Sequence, residues 1–207
     1  RFMLAFGNVS FIGYPVCDAV FGSKAVFCAS VLNIPFNLLV FTIGVSFING
    51  AKAKSAFSPK LIFSPCVVAS LIALLIAIVR IQTPAPIGQW FHLLGDLTTP
   101  CALLIIGSSL SHIPVRDMLG NRFVYSMALL RLLVLPLAVG GVLALMGIDP
   151  FVSDVAVVLS AMPIATNGIM LCLQYGKDER LMTQGLFITT LFSVISIPAV
   201  AYLASLF

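Results

Sequence analysis

The chain has 207 residues, of which 60% are hydrophobic and 9% are charged, with a net charge of +4. A soluble domain carries about 25% charged residues because water must solvate most of its surface. The composition therefore excludes a soluble enzyme and a small secreted disulfide domain. The basic residues are spread along the chain and form no patch, so no nucleic-acid partner is expected. The lipid bilayer is the expected solvent, in agreement with a mean hydropathy of +1.14.

Seven apolar segments are each long enough to cross a bilayer as a helix, which takes about 20 residues. Their apolar runs are continuous and do not alternate as the strands of a membrane barrel would. The predicted fold class is all-α, a polytopic membrane protein. The predicted spans are 2–21, 25–48, 61–80, 93–113, 122–147, 151–174 and 182–206. Only short connections join them, so a single membrane domain is predicted.

The first span contains residues that are unsuited to a lipid-facing helix. Within nine positions it holds Gly7, Asn8, Ser10, Gly13 and Pro15. Proline lacks a backbone donor and clashes with the carbonyl four residues earlier, which predicts a break near Phe11. Backbone that leaves the helix at membrane depth survives only where protein or water covers it.

The sixth span repeats this feature, with Pro163, Thr166, Asn167 and Gly168 close together. Interruptions at corresponding positions of two halves are the best sequence indication of a transporter binding site, whereas two ordinary proline kinks are the alternative. The predicted substrate-binding residues are Gly7, Asn8, Ser10, Pro163, Thr166, Asn167 and Gly168. No metal or cofactor is expected, because the cysteines show no paired spacing.

A weak internal repeat relates the two halves. Gly22 aligns with Gly176, and each follows an interrupted span and precedes an unbroken one. The interrupted spans are first and sixth in order, so they cross the membrane in opposite directions, which indicates an inverted-topology repeat. Three helices are then expected before Arg1, giving ten in total. The expected division is 1–49 as the last two helices of the first repeat, 50–60 as a cytoplasmic linker loop, and 61–207 as the second five-helix repeat.

The distribution of positive charge predicts the orientation, because Lys and Arg in short loops stay on the cytoplasmic side. Of the eleven Lys and Arg residues, only Lys24 and Arg80 fall on the opposite side. The 50–60, 114–121 and 176–181 loops are therefore predicted to be cytoplasmic, and the C-terminal Phe207 to lie outside. A bacterial inner membrane is the expected location.

Two charged residues inside spans are further candidates for a coupling or secondary role. Asp18 lies about one turn from the outer end of its span, so it is either a proton or cation site or a carboxylate that reaches water. Arg131 either holds a substrate carboxylate or, the favoured interpretation, extends to the cytoplasmic headgroups.

Several of these segments resemble the auxin efflux carrier family, which includes plant PIN-like carriers and bacterial malate and malonate permeases. The matching segments cover most of the chain in family order: 7–15 (GNVSFIGYP), 36–44 (FNLLVFTIG), 99–110 (TPCALLIIGSSL), 161–167 (AMPIATN) and 174–176 (QYG). The resemblance implies a bile-acid-symporter-like fold of ten helices in two inverted repeats. Its fourth and ninth helices, here the first and sixth spans, break and cross at the substrate site.

The resemblance also bears on the substrate. Gly7 and Gly168 stand where plant carriers have Pro, so the chain is similar to the bacterial branch and auxin is in doubt as substrate. The implied partners are a small organic anion and the bilayer, with a proton or sodium ion for coupling and a second copy of the chain as further candidates.

A secondary carrier of a small organic anion such as a carboxylate is therefore the leading hypothesis. An intramembrane enzyme would need a nucleophile and base or metal ligands at depth, and the sequence has no HExxH or GxSxG motif. A seven-helix receptor matches the number of spans but does not account for paired interrupted helices in an inverted repeat.

The predicted orientation can be tested by labelling a single cysteine with an impermeant thiol reagent in intact cells. With the native thiols removed, Ser23→Cys should be labelled from outside, because its loop lies opposite the Lys/Arg-rich side. A cysteine at position 55, in the predicted cytoplasmic loop, is the matched control and should react only after permeabilisation. Labelling of Ser23→Cys from the cytoplasm alone would reverse the orientation.

Overall fold

The computed structural model describes residues 1–50, 65–79, 84–97 and 122–204, with isolated positions between 100 and 111. Within these ranges the secondary structure is helical apart from one antiparallel bridge between Gly7 and Ile164. The all-α prediction is therefore confirmed. The predicted 50–60 and 114–121 loops, most of the fourth span and Phe207 lie outside the described residues.

The helices vary from single turns to full spans. In chain order they are α1 (Phe2–Ala5), α2 (Tyr14–Phe21), α3 (Ser23–Leu39), α4 (Val45–Asn49), α5 (Pro65–Val79), α6 (Ala85–Asp96), α7 (Arg122–Leu129), α8 (Leu135–Leu145), α9 (Pro150–Ser160), α10 (Asn167–Gln174) and α11 (Arg180–Ala204). Three wider, π-helical turns continue neighbouring helices: Val9–Gly13, Val40–Gly44 and Leu130–Val134.

Among the residues that the structure describes, three continuous helices are long and apolar enough to cross a bilayer, and they match predicted spans. They are Ser23–Asn49, Arg122–Leu145 and Arg180–Ala204, which correspond to the second, fifth and seventh spans. The third span is represented by α5. The protein is thus a multi-pass membrane protein, as its composition predicted.

The connection predicted between the spans 61–80 and 93–113 is partly helical, because α6 already begins at Ala85. Pro86 does not prevent this, since the first turn of a helix needs no backbone donors. The Gly88 N–H donates to the Pro84 carbonyl at 3.0 Å and closes the first turn. Ending at Asp96, α6 therefore includes the first residues of the predicted span 93–113.

Both spans that were predicted to be interrupted are interrupted. In the first, α1 ends at Ala5 and the helix Val9–Phe21 follows, so residues 6–8 form the break. In the sixth, residues 161–166 separate α9 from α10. The second break falls at Pro163 as predicted.

The first break does not fall near Phe11, where Pro15 was expected to cause it. Instead, the chain forms the π-helical turn Val9–Gly13 and Pro15 lies in the first turn of α2. In the same way, the π-helical turn Leu130–Val134 precedes Pro136, which lies in the first turn of α8. A wider turn before a proline accommodates its missing donor and its ring, so the helix continues through both prolines.

The core is packed around the two breaks. The Phe2 ring is 2% exposed and lies between two glycines of other segments. A Cβ on Gly44 would lie 2.9 Å from the ring, and a Cβ on Gly168 would lie 2.7 Å from it. Larger residues at these positions would force the segments apart, so small residues permit the close approach of backbones.

The long helix α11 holds the second break in place through Thr189. Its Oγ1 accepts a hydrogen bond from the Ile164 N–H at 3.1 Å and donates to the Gly185 carbonyl at 2.7 Å. Thr189 has no exposed surface. The hydroxyl thus replaces the helical acceptor that Ile164 lacks at the break.

Thr189→Val should destabilise the protein, because a similar shape without the hydroxyl leaves the buried Ile164 N–H unpaired. We expect the free energy of unfolding to fall by about 1–3 kcal/mol. Thermal melting in detergent measures the effect. Thr190→Val is the matched control, since Thr190 is exposed. Equal melting temperatures for the two variants would show that Thr189 does not support the break.

Candidate substrate site at the helix crossover

The two breaks cross and pair with each other through their backbones. The Asn8 N–H donates to the Pro163 carbonyl at 2.7 Å, and the Ala165 N–H donates to the Phe6 carbonyl at 3.1 Å. Between these bonds, Gly7 and Ile164 lie opposite each other in an antiparallel bridge. The predicted crossing of the first and sixth spans is therefore present. Each break supplies the partners that the other lost on leaving its helix.

Asn8 lies at the centre of this crossing and is only 4% exposed. Its Oδ1 accepts a hydrogen bond from the Phe11 N–H at 3.3 Å and caps the turn that follows. Its Nδ2 donates to no atom among the described residues. Asn8 thus keeps a fixed orientation and an amide that is free to donate.

Thr166 and Asn167 occupy the corresponding place on the second break, at the beginning of α10. Thr166 is 2% exposed, and its Oγ1 has no partner in the described part of the chain. Asn167 is half-buried, and no hydrogen bond joins its side chain to another described residue. Unsatisfied buried polar groups are rare in native proteins, so these side chains are suited to a ligand.

Ser10 is already engaged by the neighbouring helix. Asn33 Nδ2 donates to Ser10 Oγ at 3.0 Å and to the Tyr14 hydroxyl at 2.7 Å. Asn33 thus bonds across from α3 to the helix that follows the first break. Ser10 thus holds α3 against the helix that follows the first break, whereas its predicted role in substrate binding stays a prediction.

The remaining predicted site residues act here through backbone or packing. The Pro163 carbonyl accepts from Asn8, and Gly168 packs against Phe2. Gly7 lies directly beside Arg131, since a Cβ on Gly7 would be 2.0 Å from Arg131 Nη2. The absence of a side chain at Gly7 therefore makes room for the guanidinium.

Arg131 does not extend to the headgroups, so the favoured interpretation of this residue is wrong. It is 2% exposed and points to the crossover. Its Nε donates to the Met162 carbonyl at 3.2 Å and its Nη1 to the Leu4 carbonyl at 2.5 Å. Both acceptors lie next to the breaks, where these carbonyls have no helical partner.

Asp18 is not brought to the crossover. It lies on α2, exposed, ten residues beyond Asn8, a separation of about 15 Å along a helix axis. A role in binding at the crossover would therefore have to be indirect.

Sequence reasoning missed Thr189 and the contacts of Arg131. A threonine in an apolar helix gives no signal of its own, because Thr hydroxyls commonly bond within their own helix. The signal at Arg131 was its position in a span, which indicated function but not which atoms it would contact.

The comparisons with known proteins agree with this architecture. Residues 56–201 match the family described as "Membrane transport protein". A "Putative malonate transporter" of Rhizobium meliloti is 25% identical over 96% of this chain and 64% of its own length. An uncharacterized transporter of Methanocaldococcus jannaschii is 28% identical over 92% of this chain and 63% of its own.

An uncharacterized transporter of Escherichia coli is 23% identical over 96% of this chain and 65% of its own length. The chain thus spans about two thirds of the length of these relatives, or slightly less. All three are named as transporters, which agrees with the carrier hypothesis and with neither the receptor nor the enzyme. The chain belongs to this membrane transport protein family, the auxin efflux carrier family that its motifs resemble.

Proposed function

We propose that the protein is a secondary carrier that binds a small organic anion where its two broken helices cross. One observation carries the proposal. At the crossing, the backbone of the two breaks is mutually satisfied, yet the side chains of Asn8, Thr166 and Asn167 retain hydrogen-bonding groups without partners among the described residues. The paired backbone would hold these side chains in fixed positions, from which they could bind a polar ligand.

The chemistry of these groups favours an anion. Asn8 Nδ2, the Thr166 hydroxyl and the Asn167 amide can all donate hydrogen bonds to a carboxylate. The helices that begin at Val9 and at Asn167 also direct their positive ends toward the breaks. Because these donors are neutral, they can bind a carboxylate and add no charge of their own to the empty carrier.

The proposed substrate class rests on the small number of polar side chains at the crossing and on the name of one relative. Three short polar side chains on two adjacent breaks suit a small molecule with one or two carboxylates. A relative named as a malonate transporter supports a short dicarboxylate as the first candidate. A proton or sodium gradient would drive such a carrier, since the sequence contains no nucleotide-binding P-loop.

The wider architecture belongs to the same proposal. The intact carrier would have ten helices in two inverted repeats, with 1–49 completing the first, 50–60 as the cytoplasmic linker and 61–207 as the second. It would lie in a bacterial inner membrane with Phe207 outside, and it could associate as a homodimer.

The proposal is tested with the intact protein in proteoliposomes. Uptake of radiolabelled malonate, malate and acetate is measured under imposed proton and sodium gradients, with empty vesicles as control. We expect saturable uptake of at least one carboxylate, driven by either the proton or the sodium gradient. The other two carboxylates, added unlabelled, should inhibit this uptake in proportion to their affinity. Absence of saturable uptake of all three carboxylates under both gradients would reject the anion carrier.

Asn8→Ala and Asn167→Ala should weaken substrate binding more than they weaken the fold. The loss of a hydrogen bond to a charged carboxylate costs about 1.5–3 kcal/mol, or roughly a 10–150-fold loss of affinity. Hydrogen bonds between membrane helices average only about 0.6 kcal/mol, so the variants should still fold and insert. Dissociation constants and melting temperatures are measured on the same samples.

Leu75→Ala is the control for these variants. Leu75 lies on α5 and is 60% exposed, away from the crossover. It should change substrate affinity little. Parental affinity in both asparagine variants, together with a clear loss of thermal stability, would mean that the two residues serve packing and not binding.

A further inference from the structure

Arg131 is a buried cation without an acidic partner in the described ranges. Its guanidinium is 2% exposed and contacts two backbone carbonyls, those of Leu4 and Met162. A charge at membrane depth is expensive and is retained mainly where it has a function. The contacts of this one side chain therefore indicate what that function is.

Both acceptors lie near the C-terminal end of the helix that precedes a break. Leu4 is in the last turn of α1, and Met162 follows the end of α9 by two residues. Carbonyls at the C-terminal end of a helix have no helical partner, and that end carries partial negative charge. One guanidinium, through its fork of donors, thus hydrogen-bonds a carbonyl at the C-terminal end of α1 and another just beyond the C-terminal end of α9. We call the helices on either side of each break half-helices.

We propose that Arg131 is a positioning residue that joins these two C-terminal ends and fixes the crossover for anion binding on the opposite side. Its positive charge offsets the negative ends of α1 and α9. The positive ends of the helices beginning at Val9 and Asn167 then act on the anion without opposition. The part that concerns the anion rests on the proposed function, whereas the joining of the half-helices does not.

Two local features direct Arg131 to this place. It lies in the π-helical turn Leu130–Val134, whose wider turn changes the direction of the side chains that it carries. Opposite it, Gly7 has no side chain, and Nη2 occupies the space where a Cβ would be. The close fit of Arg131 to Gly7 and its two carbonyl bonds engage Nε and Nη1, which suits the residue to act through the backbone of the two breaks.

Three substitutions separate charge, hydrogen bonding and volume. Arg131→Lys keeps the charge and three donors, Arg131→Gln keeps two donors without charge, and Arg131→Met keeps only volume. Hydrogen–deuterium exchange of the Asn8 and Ala165 amides, the two donors that pair the breaks, reports on the crossover in the intact protein in nanodiscs. Malonate is the probe for anion binding.

We expect exchange at these two amides to accelerate about tenfold or more in Arg131→Met and Arg131→Gln, because losing hydrogen bonds from a charged donor has this order of effect. In Arg131→Lys the increase should be smaller than in the two neutral variants, because lysine keeps the charge and three donors but not the planar fork. The malonate dissociation constant should rise about tenfold in the two neutral variants and within about threefold in the lysine variant, with a smaller change in the maximal transport rate.

Gly7→Ala tests the same contact without changing Arg131 and applies even if a neutral variant fails to fold. The added Cβ would lie 2.0 Å from Nη2 and displace the guanidinium, so exchange at Asn8 and Ala165 should accelerate. Gly141→Ala is the matched control, because no atom lies within 4 Å of a Cβ there.

Parental exchange in Arg131→Gln and Gly7→Ala would overturn the proposal. Weaker malonate binding with unchanged exchange would also overturn it, since Arg131 would then contact the anion directly. If the parent binds no malonate or other carboxylate, the proposed function fails, but the exchange measurements still decide whether Arg131 joins the half-helices.

Discussion

A backbone that leaves its helix inside a bilayer must find other hydrogen-bond partners, and this requirement organises the structure. The first and sixth spans meet it by crossing and by donating from Asn8 to Pro163 and from Ala165 to Phe6. Thr189 and Arg131 supply further partners, one to an N–H and the other to two carbonyls. Because both breaks depend on the same crossing, neither interrupted span could keep its shape without the other.

Close packing follows from this pairing. Backbones that bond to each other must approach closely, so the crossover is surrounded by positions that accept no side chain. Gly7 adjoins Arg131, Gly168 adjoins Phe2, and Gly185 would place a Cβ 2.8 Å from Ile164. Within the described part of the crossover, the side chains of Asn8, Thr166 and Asn167 keep hydrogen-bonding groups without a partner. The same constraint that fixes the breaks therefore limits where a ligand could bind.

The second, fifth and seventh spans and the existence of both breaks could be predicted from the sequence, because hydropathy and the cost of polar groups in lipid are local properties. The position of the first break could not. Pro15 is accommodated by a π-helical turn, and the chain leaves the helix at Gly7, where room for Arg131 is needed. Arg131 was misjudged for the same reason. Whether a long side chain reaches the interface or a carbonyl depends on backbone 127 positions away in sequence, at Leu4.

The pairing of the breaks also constrains how the proposed carrier could alternate its access. Pulling α1 and α9 apart would leave the N–H groups of Asn8 and Ala165 unpaired at membrane depth, at a cost of several kcal/mol each. It would also remove the acceptors of a buried guanidinium, a change that is costlier still. A motion that carries both broken helices together keeps every one of these bonds. Under the proposed function, the two broken helices are therefore expected to move as one body against the rest of the protein. They are not expected to expose the substrate site by separating from each other.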